Sequence, residues 1–338
     1  MVKALALFSG GLDSALSARI VLDEGVDLEA VYFVNAFLPA PLEIKPFLMK
    51  QAVRLGIKLH ILDISRSHLA MTQAPRYGYG QHMNPCIDCR ILMLRQARAY
   101  MQEHGFNFLV SGEVLGQRPM SQRRDALNII DRDADVKGLI LRPLTAKKLT
   151  PTVAEEKGWV DRDKLFDFSG RTRKPQLALA EKLGIEEYLT PAGGCLLTEA
   201  EFTRKLRDLI SSGKVGLEDV HLLKIGRHFR AKSSLKIIIG RDEEENGRLM
   251  DLAKNEDILV KMRDFAGPLT LLRTNGLEET SNGEIPKLIE TAARLTARYS
   301  KGKDEERVGV DYWSKNSGEK RFIQVTPAGE DLIARMRI

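Results

Sequence analysis

The 338-residue chain is 43% hydrophobic and 29% charged, enough apolar content to bury cores in about two domains and too much for wholesale disorder. Its formal net charge is +6, split evenly about Ala200, so neither half is a basic tail. No apolar run approaches the ~18 residues of a membrane helix, and Lys3–Phe8 breaks at Ser9-Gly10-Gly11 too soon for a signal peptide, which predicts a soluble, cytoplasmic protein with no membrane partner.

In chain order, the short apolar run Lys3–Phe8 predicts a buried strand, and apolar positions at helical spacing over Ala15–Leu22 predict a helix that Gly25 stops. Strand Leu28–Val34, helix Leu48–Leu55 and strand Lys58–Ile64 repeat the theme. Helix Leu92–His104, strand Phe108–Ser111, strand Leu139–Leu144 and helix Lys174–Leu183 follow. Strands alternating with helices over about 200 residues predict an α/β fold, a parallel, Rossmann-like sheet covered on both faces. After Ala200 the pattern changes to a smaller α+β unit. Leu222–Phe229 and Leu235–Gly240 are expected as neighbouring strands, then helix Glu243–Ala253, strands Ile258–Asp264 and Leu269–Arg273, helix Ile285–Tyr299, and strands near Val308–Tyr312 and Arg321–Val325. The expected domains are 1–200 and 201–338.

Ser9-Gly10-Gly11-Leu12-Asp13-Ser14 lies between the first strand and the first helix. Two glycines let the backbone turn tightly and present N–H groups to an anion, and the helix N-terminus adds partial positive charge. The Gly-Lys-Ser/Thr ending of a Walker A loop is missing, which argues against γ-phosphate transfer. The hexapeptide resembles the PP-loop of the adenine nucleotide α-hydrolase superfamily, whose members cleave ATP between the α and β phosphates. The resemblance implies ATP and Mg²⁺ at Ser9, Gly10, Gly11, Asp13 and Ser14, with Asp13 catalytic and Phe33 against adenine. Ser111-Gly112-Glu113-Val114-Leu115-Gly116-Gln117, with Ser121-Gln122 after it, resembles a stretch of the ThiI-type tRNA 4-thiouridine synthetases. This adds Gly112, Gln117, Ser121 and Gln122 to the ATP site, and Arg118, Arg123 and Arg124 as candidate phosphate contacts.

Three cysteines cannot close a paired disulfide framework. Cys86 and Cys89 form a Cys-x-x-Cys after Asn84-Pro85, and Cys195 follows Ala192-Gly193-Gly194; Pro and Gly place both segments in loops above the strand ends, where α/β sites lie. Zinc, redox and iron–sulfur uses share this signal, and a structural zinc site wants four ligands. The three cysteines in this order resemble those with which archaeal-type ThiI proteins hold an iron–sulfur cluster, and that resemblance implies a [4Fe-4S] cluster on Cys86, Cys89 and Cys195. Bacterial 2-thiouridylases, which the motif also resembles, use a catalytic pair that would match Cys89 and Cys195.

Residues 222–321 resemble the RNA-binding domain of NFACT proteins, on Gly240-Arg241-Asp242, Phe265-Ala266-Gly267-Pro268, Tyr299-Ser300-Lys301 and Val308-Gly309-Val310-Asp311-Tyr312. Between Arg204 and Lys236 nine Lys/Arg face three acids, and Lys224, Arg227, His228, Arg230, Lys232 and Lys236 are the expected phosphate-binding face. The resemblances together imply an AMP- and pyrophosphate-forming tRNA uridine sulfurtransferase, with 4-thiouridine as the product. Its expected partners are tRNA and a sulfur donor, sulfide or a persulfide carrier, with a homodimer as the candidate assembly. The rivals are a PP-loop enzyme acting on a small molecule and a non-catalytic, ribosome-associated RNA factor that only binds ATP.

Overall fold

The computed structural model describes residues 2–39, 41–189, 194–213, 215–232, 235–273 and 285–338, with the backbone alone at 41–43 and 232. It divides into two compact units, Met1–Glu199 and Ala200–Ile338. The first unit runs β1 (Lys3–Leu7), α1 (Leu12–Asp23), β2 (Asp27–Val34), α2 (Pro41–Leu55), β3 (Lys58–Asp63), α3 (Ser65–Gln73), α4 (Cys86–Glu103), β4 (Phe108–Ser111), α5 (Arg124–Asp133), β5 (Ile140–Leu141), the short α6 (Val153–Glu156) and α7 (Lys174–Lys182). Its strands pair in parallel in the order β3-β2-β1-β4-β5.

Alternation along each strand feeds two cores. Ala4, Ala6, Leu28, Ala30, Phe108 and Val110 pack with Leu12, Leu16, Leu48 and Leu179 on one face. Leu5, Leu7, Val31, Phe33 and Leu109 pack with Ile91, Leu94, Ala97 and Ile130 on the other. Strands buried on both faces are the reason β1 is apolar at every position after Lys3. Phe33 belongs to this second core and is 4% exposed. Its ring is therefore core packing, and the expectation that it stacks on adenine is corrected.

The order of the strands matters for the site. The chain builds outward from β1 through β2 to β3, then returns to the other side of β1 with β4 and β5. The loops after β1 and β4 therefore leave the sheet in opposite directions and open a crevice between their carboxyl ends, where ligands of open α/β sheets bind.

The second unit comprises α8 (Ala200–Ser211), α9 (Leu217–Leu223), β6 (Arg227–Lys232), β7 (Leu235–Ile239), α10 (Glu243–Leu252), β8 (Ile258–Met262), β9 (Leu269–Arg273), α11 (Ile285–Arg298), β10 (Val308–Ser314), β11 (Arg321–Val325) and α12 (Glu330–Met336). Its strands pair antiparallel in the order β11-β10-β8-β9-β7-β6. Leu288, Ala292 and Leu295 of α11 close one face, while Leu222 and Leu249 pack on Ile238, Leu259 and Leu271 of the other. The strand expected at Leu222–Phe229 starts at Arg227 instead. Leu222 and Leu223 end α9, and Gly226, with φ +72°, turns the chain into β6.

Candidate active site

The turn after β1 is set by its glycines and hydroxyls. Gly10 has φ +73°, and a β-carbon there would lie 2.5 Å from Leu48 Cδ2, so both backbone and space demand glycine. Ser14 Oγ donates to the Gly11 carbonyl at 2.8 Å and accepts from the Ser9 N–H at 3.3 Å. The Ser9 hydroxyl also reaches Ser14 Oγ at 3.3 Å. The turn is thus held in shape by its own side chains, with the N-terminus of α1 behind it, an arrangement suited to an anion.

The loop after β4 closes directly on this turn. A β-carbon at Gly112 would lie 2.6 Å from the backbone of Asp13 and Ser14, so glycine alone permits the contact. Gln117 Nε2 donates to Asp13 Oδ2 at 2.8 Å, and Arg173 donates to the same oxygen at 3.1 Å. Gln176, on the first turn of α7, donates to Gln117 Oε1 at 3.0 Å. Eight buried side-chain polar atoms lack a hydrogen-bond partner among the described residues; Asp13 Oδ1, Arg173 Nε and Gln176 Oε1 are three of them, gathered here. Such atoms are costly to bury, and three in one place mark a site that a ligand completes. The orphaned, acceptor-only Asp13 Oδ1 is suited to Mg²⁺, a hard cation that takes oxygen ligands.

Ser121 and Gln122, expected to face the nucleotide, are buried. Gln122 instead pins the loop: its side chain accepts from the Arg118 N–H at 3.1 Å, and its carbonyl accepts from Gly116 at 2.7 Å. Arg123 pairs with Asp125, and Arg124 donates to the Lys148 carbonyl. Glu113 is buried between Arg90 and Arg142, each at 2.9 Å, and Arg142 also grips Asp131. Burial pushes the Glu113 carboxyl up, but the two guanidiniums outweigh it and hold it down at about 2.

Cys86 and Cys89 stand on the first turn of α4 rather than in a loop, because α4 begins at Cys86, six residues before its sequence periodicity is clear. Cys86 Sγ donates to Asn84 Oδ1 at 2.9 Å. Cys89 Sγ lies 3.2 Å from Nε2 of the buried His68, on α3. The α4 N-terminus favours thiolates by about 0.3–1 kcal/mol, but burial wins. It pushes Cys89 up to about 12, with the neighbouring Cys195 and Cys86 adding to the rise, and Cys195 up to about 11. Burial also drops His68 to about 4, so His68 and Cys89 meet as neutral groups at pH 7.

The three sulfurs are thus close enough to feel one another's charge, and Arg118 lies near enough to Cys86 and Cys195 to lower both. Among the described residues no trio of His, Cys, Asp or Glu stands in a finished metal-binding array. Of the residues leading to Cys195, Ala192 and Gly193 lie outside the described residues. The donor set itself, three soft thiols with no carboxylate among them, fits an iron–sulfur cluster.

The expected RNA-binding face is largely dismantled. Arg230 binds both carboxylate oxygens of Asp208 on α8, and Lys236, 6% exposed, reaches the same carboxylate at 3.5 Å. Burial drops Lys236 to about 8 and, with Arg248 nearby, Lys224 to about 8. His228 is buried with Nε2 on the Ile225 carbonyl. Arg230 and Lys236 anchor α8 to the sheet and His228 is buried, so the run is unavailable as a continuous phosphate face. Arg227 remains near the surface, its guanidinium 4.7 Å above the Tyr299 ring, and the Lys232 side chain lies outside the described residues. Sequence reasoning missed His68, Arg173 and Gln176. The Lys174-Pro175 helix start was the available signal for the last two, since it fixes where α7 presents its first turn.

Residues 1–153 match the family model described as thiamine biosynthesis protein (ThiI), and residues 226–336 match the NFACT protein RNA binding domain. A "Probable tRNA sulfurtransferase" of Acholeplasma laidlawii is 28% identical over 149 residues, 42% of this chain and 34% of that one. One from Geobacillus sp. is 32% identical over 149 residues, 43% and 35% of the respective chains. The tRNA-specific 2-thiouridylase MnmA of Stutzerimonas stutzeri is 25% identical over 242 residues, 67% and 60%. The matches span about a third of the length of these two sulfurtransferases. The chain therefore joins a segment similar to the ThiI family at residues 1–153 to one similar to the NFACT RNA binding domain at residues 226–336.

Proposed function

We propose that the protein is a cytoplasmic, ATP-dependent tRNA uridine sulfurtransferase that adenylates a uridine carbonyl oxygen and replaces that oxygen with sulfur. The observation that carries this reading is the meeting of Asp13, Gln117, Arg173 and Gln176 beside the glycine turn, with three buried polar atoms left open for a ligand. The tRNA-thiolating relatives and the RNA-binding family at residues 226–336 support uridine in tRNA as the acceptor.

A carbonyl oxygen is a poor leaving group, so it is first activated. It attacks the α-phosphorus of ATP, forming one P–O bond as the bond to the bridging oxygen breaks, and pyrophosphate leaves. The N–H groups of the Ser9–Gly11 turn and the α1 N-terminus receive that charge. Gln117 and Arg173 orient Asp13, whose open Oδ1 would hold Mg²⁺ to neutralise the phosphates. Hydrosulfide then adds to the ring carbon and AMP departs with the former carbonyl oxygen, so the exchange needs no oxidant or reductant.

Cys86, Cys89 and Cys195 would hold an iron–sulfur cluster that, with three protein ligands, supplies an open iron for sulfide. His68 packs against Cys89, and Arg118 supplies positive charge beside Cys86 and Cys195. The likeness to 2-thiouridylases supports a second reading, in which a persulfide carrier passes its outer sulfur to one of Cys89 and Cys195 and keeps its own thiolate. That sulfur leaves as hydrosulfide when the other cysteine closes a disulfide that an external thiol then reduces.

In the adenylation test, Asp13→Asn loses tRNA-stimulated AMP formation by roughly 100-fold or more, the order seen when a group stabilising transition-state charge is removed. Its thermal melt stays at the wild-type position. AMP formation within a few-fold of wild type contradicts the assignment.

A further inference from the structure

The second unit contains a hollow of about 810 Å³ between the end of α11, the loop after it and α12. Lys301, Lys303 and Arg337 line it, and none of them makes an ion pair among the described residues. Arg298 lines it too, paired with Glu330, which is exposed. Tyr299 forms part of the wall, with the Arg227 guanidinium stacked on its ring. Four cations, Arg298, Lys301, Lys303 and Arg337, therefore line a concavity whose lining holds one carboxylate.

The backbone carrying these charges is fixed while their ends are free. Lys301 donates its N–H to the Ala266 carbonyl at 2.9 Å, and Gly302 donates to Ser300 Oγ at 3.0 Å. A β-carbon at Gly302 would lie 2.8 Å from the Phe265 ring, so the loop sits tight against its neighbours. Arg337 is tied by its N–H to the Ile333 carbonyl and bridges to Phe229 on β6. The negative end of the α11 dipole accounts for a cation at its last turn. It does not account for Lys303 or for Arg337, which arrives from another segment. Like charges gathered in a concave, partly low-dielectric site repel one another and focus a positive field, and an anion relieves both.

We propose that this hollow is the seat for RNA backbone phosphate in the second unit, in place of the basic run at Lys224–Lys236. The inference rests on the reading above that the protein handles tRNA. Lys301, Lys303 and Arg337 each take a phosphate oxygen, and Tyr299 gives a wall for the sugar beside it.

The test is equilibrium binding of unmodified tRNA to the full chain over a series of KCl concentrations, without ATP. Lys301→Ala/Lys303→Ala/Arg337→Ala is expected to lower the slope of log K against log[salt] by roughly two to three, and affinity near 0.1 M salt by about tenfold or more. Lys303→Gln alone, at an exposed site with no ion-pair partner, lowers the slope by about one. The charge-matched Lys261→Ala/Lys287→Ala/Lys320→Ala leaves both close to wild type. Unchanged slope and affinity in the hollow variants, or an equal loss in the charge-matched control, overturns the proposal while the tRNA reading stands. A wild-type chain that does not bind tRNA overturns that reading itself, and this one with it. If the triple variant keeps its tRNA affinity but binds one ATP fewer than wild type, the hollow seats a free nucleotide and the proposal fails.

Discussion

Cys86 opens α4 with its thiol on Asn84 Oδ1; the proposed cluster would use it as a ligand, and a two-cysteine persulfide mechanism leaves it idle. Its neighbours Cys89 and Cys195 are held protonated by burial, at about 12 and about 11, far from the range of an activated nucleophilic thiol. Metal ligation removes those protons by supplying positive charge. Anaerobic incubation of the full chain with iron and sulfide is therefore expected to give a broad absorbance near roughly 400 nm, the mark of thiolate-bound iron–sulfur centres. Cys86→Ala loses that absorbance and thiolation together while keeping AMP formation. Full thiolation by Cys86→Ala sinks the cluster and leaves the persulfide pair. The Cys-x-x-Cys was legible as chemistry because of its spacing. Its neighbour His68 was not, since a helix on the far side of a turn brings it there.

Among the elements, the loop after β4 owes its position to a buried charge network as much as to hydrogen bonds. Glu113 ties Arg90 on α4 to Arg142 beyond β5, and Arg142 ties both to Asp131 on α5. Removing one member of such a network strands the others, which costs about 3–5 kcal/mol. Glu113→Gln is expected near the low end, because Arg142 keeps Asp131. The folded carboxyl sits at about 2, below its unfolded value of about 4.3. Its stabilisation is therefore complete above about pH 4.3 and is lost as pH falls toward 2. Urea melts at pH 7 and pH 3 should show the gap between wild type and Glu113→Gln narrowing at the lower pH. A gap of equal size at both values contradicts the charge-network account.

Element boundaries were legible where apolar alternation and glycine agree, as in β1, its turn and α1. They failed where polar helices carry few apolar residues. Phe202, Leu206 and Leu209 are buried along α8 amid Lys205, Arg207 and Asp208, and the last two residues of α9 were read into the following strand because Leu222, Leu223 and Ile225 form an apolar cluster. The α8 error had a consequence. Without α8 and its Asp208, Arg230 and Lys236 looked free to meet phosphate, whereas they fasten that helix to the sheet.

At the scale of the molecule, the parallel sheet and its strand order turn two motifs distant in sequence into one site. Asp13 and Gln117 are 104 residues apart, and Asp13 and Arg173 are 160 apart. The first pairing was foreshadowed by family resemblance on both stretches. The second was not, because Arg173 carries no motif and gains meaning only when α7 packs beside α1. No helix among the described residues is long and apolar enough to cross a membrane. The measurement that tests the account most directly is nucleoside mass spectrometry of unmodified tRNA after anaerobic incubation with the iron-loaded full chain, MgATP and sulfide. The account predicts one thiouridine per AMP released, and neither product with Asp13→Asn. Release of ADP and phosphate instead of AMP and pyrophosphate, or AMP release with no thiolated nucleoside in the tRNA, would contradict it.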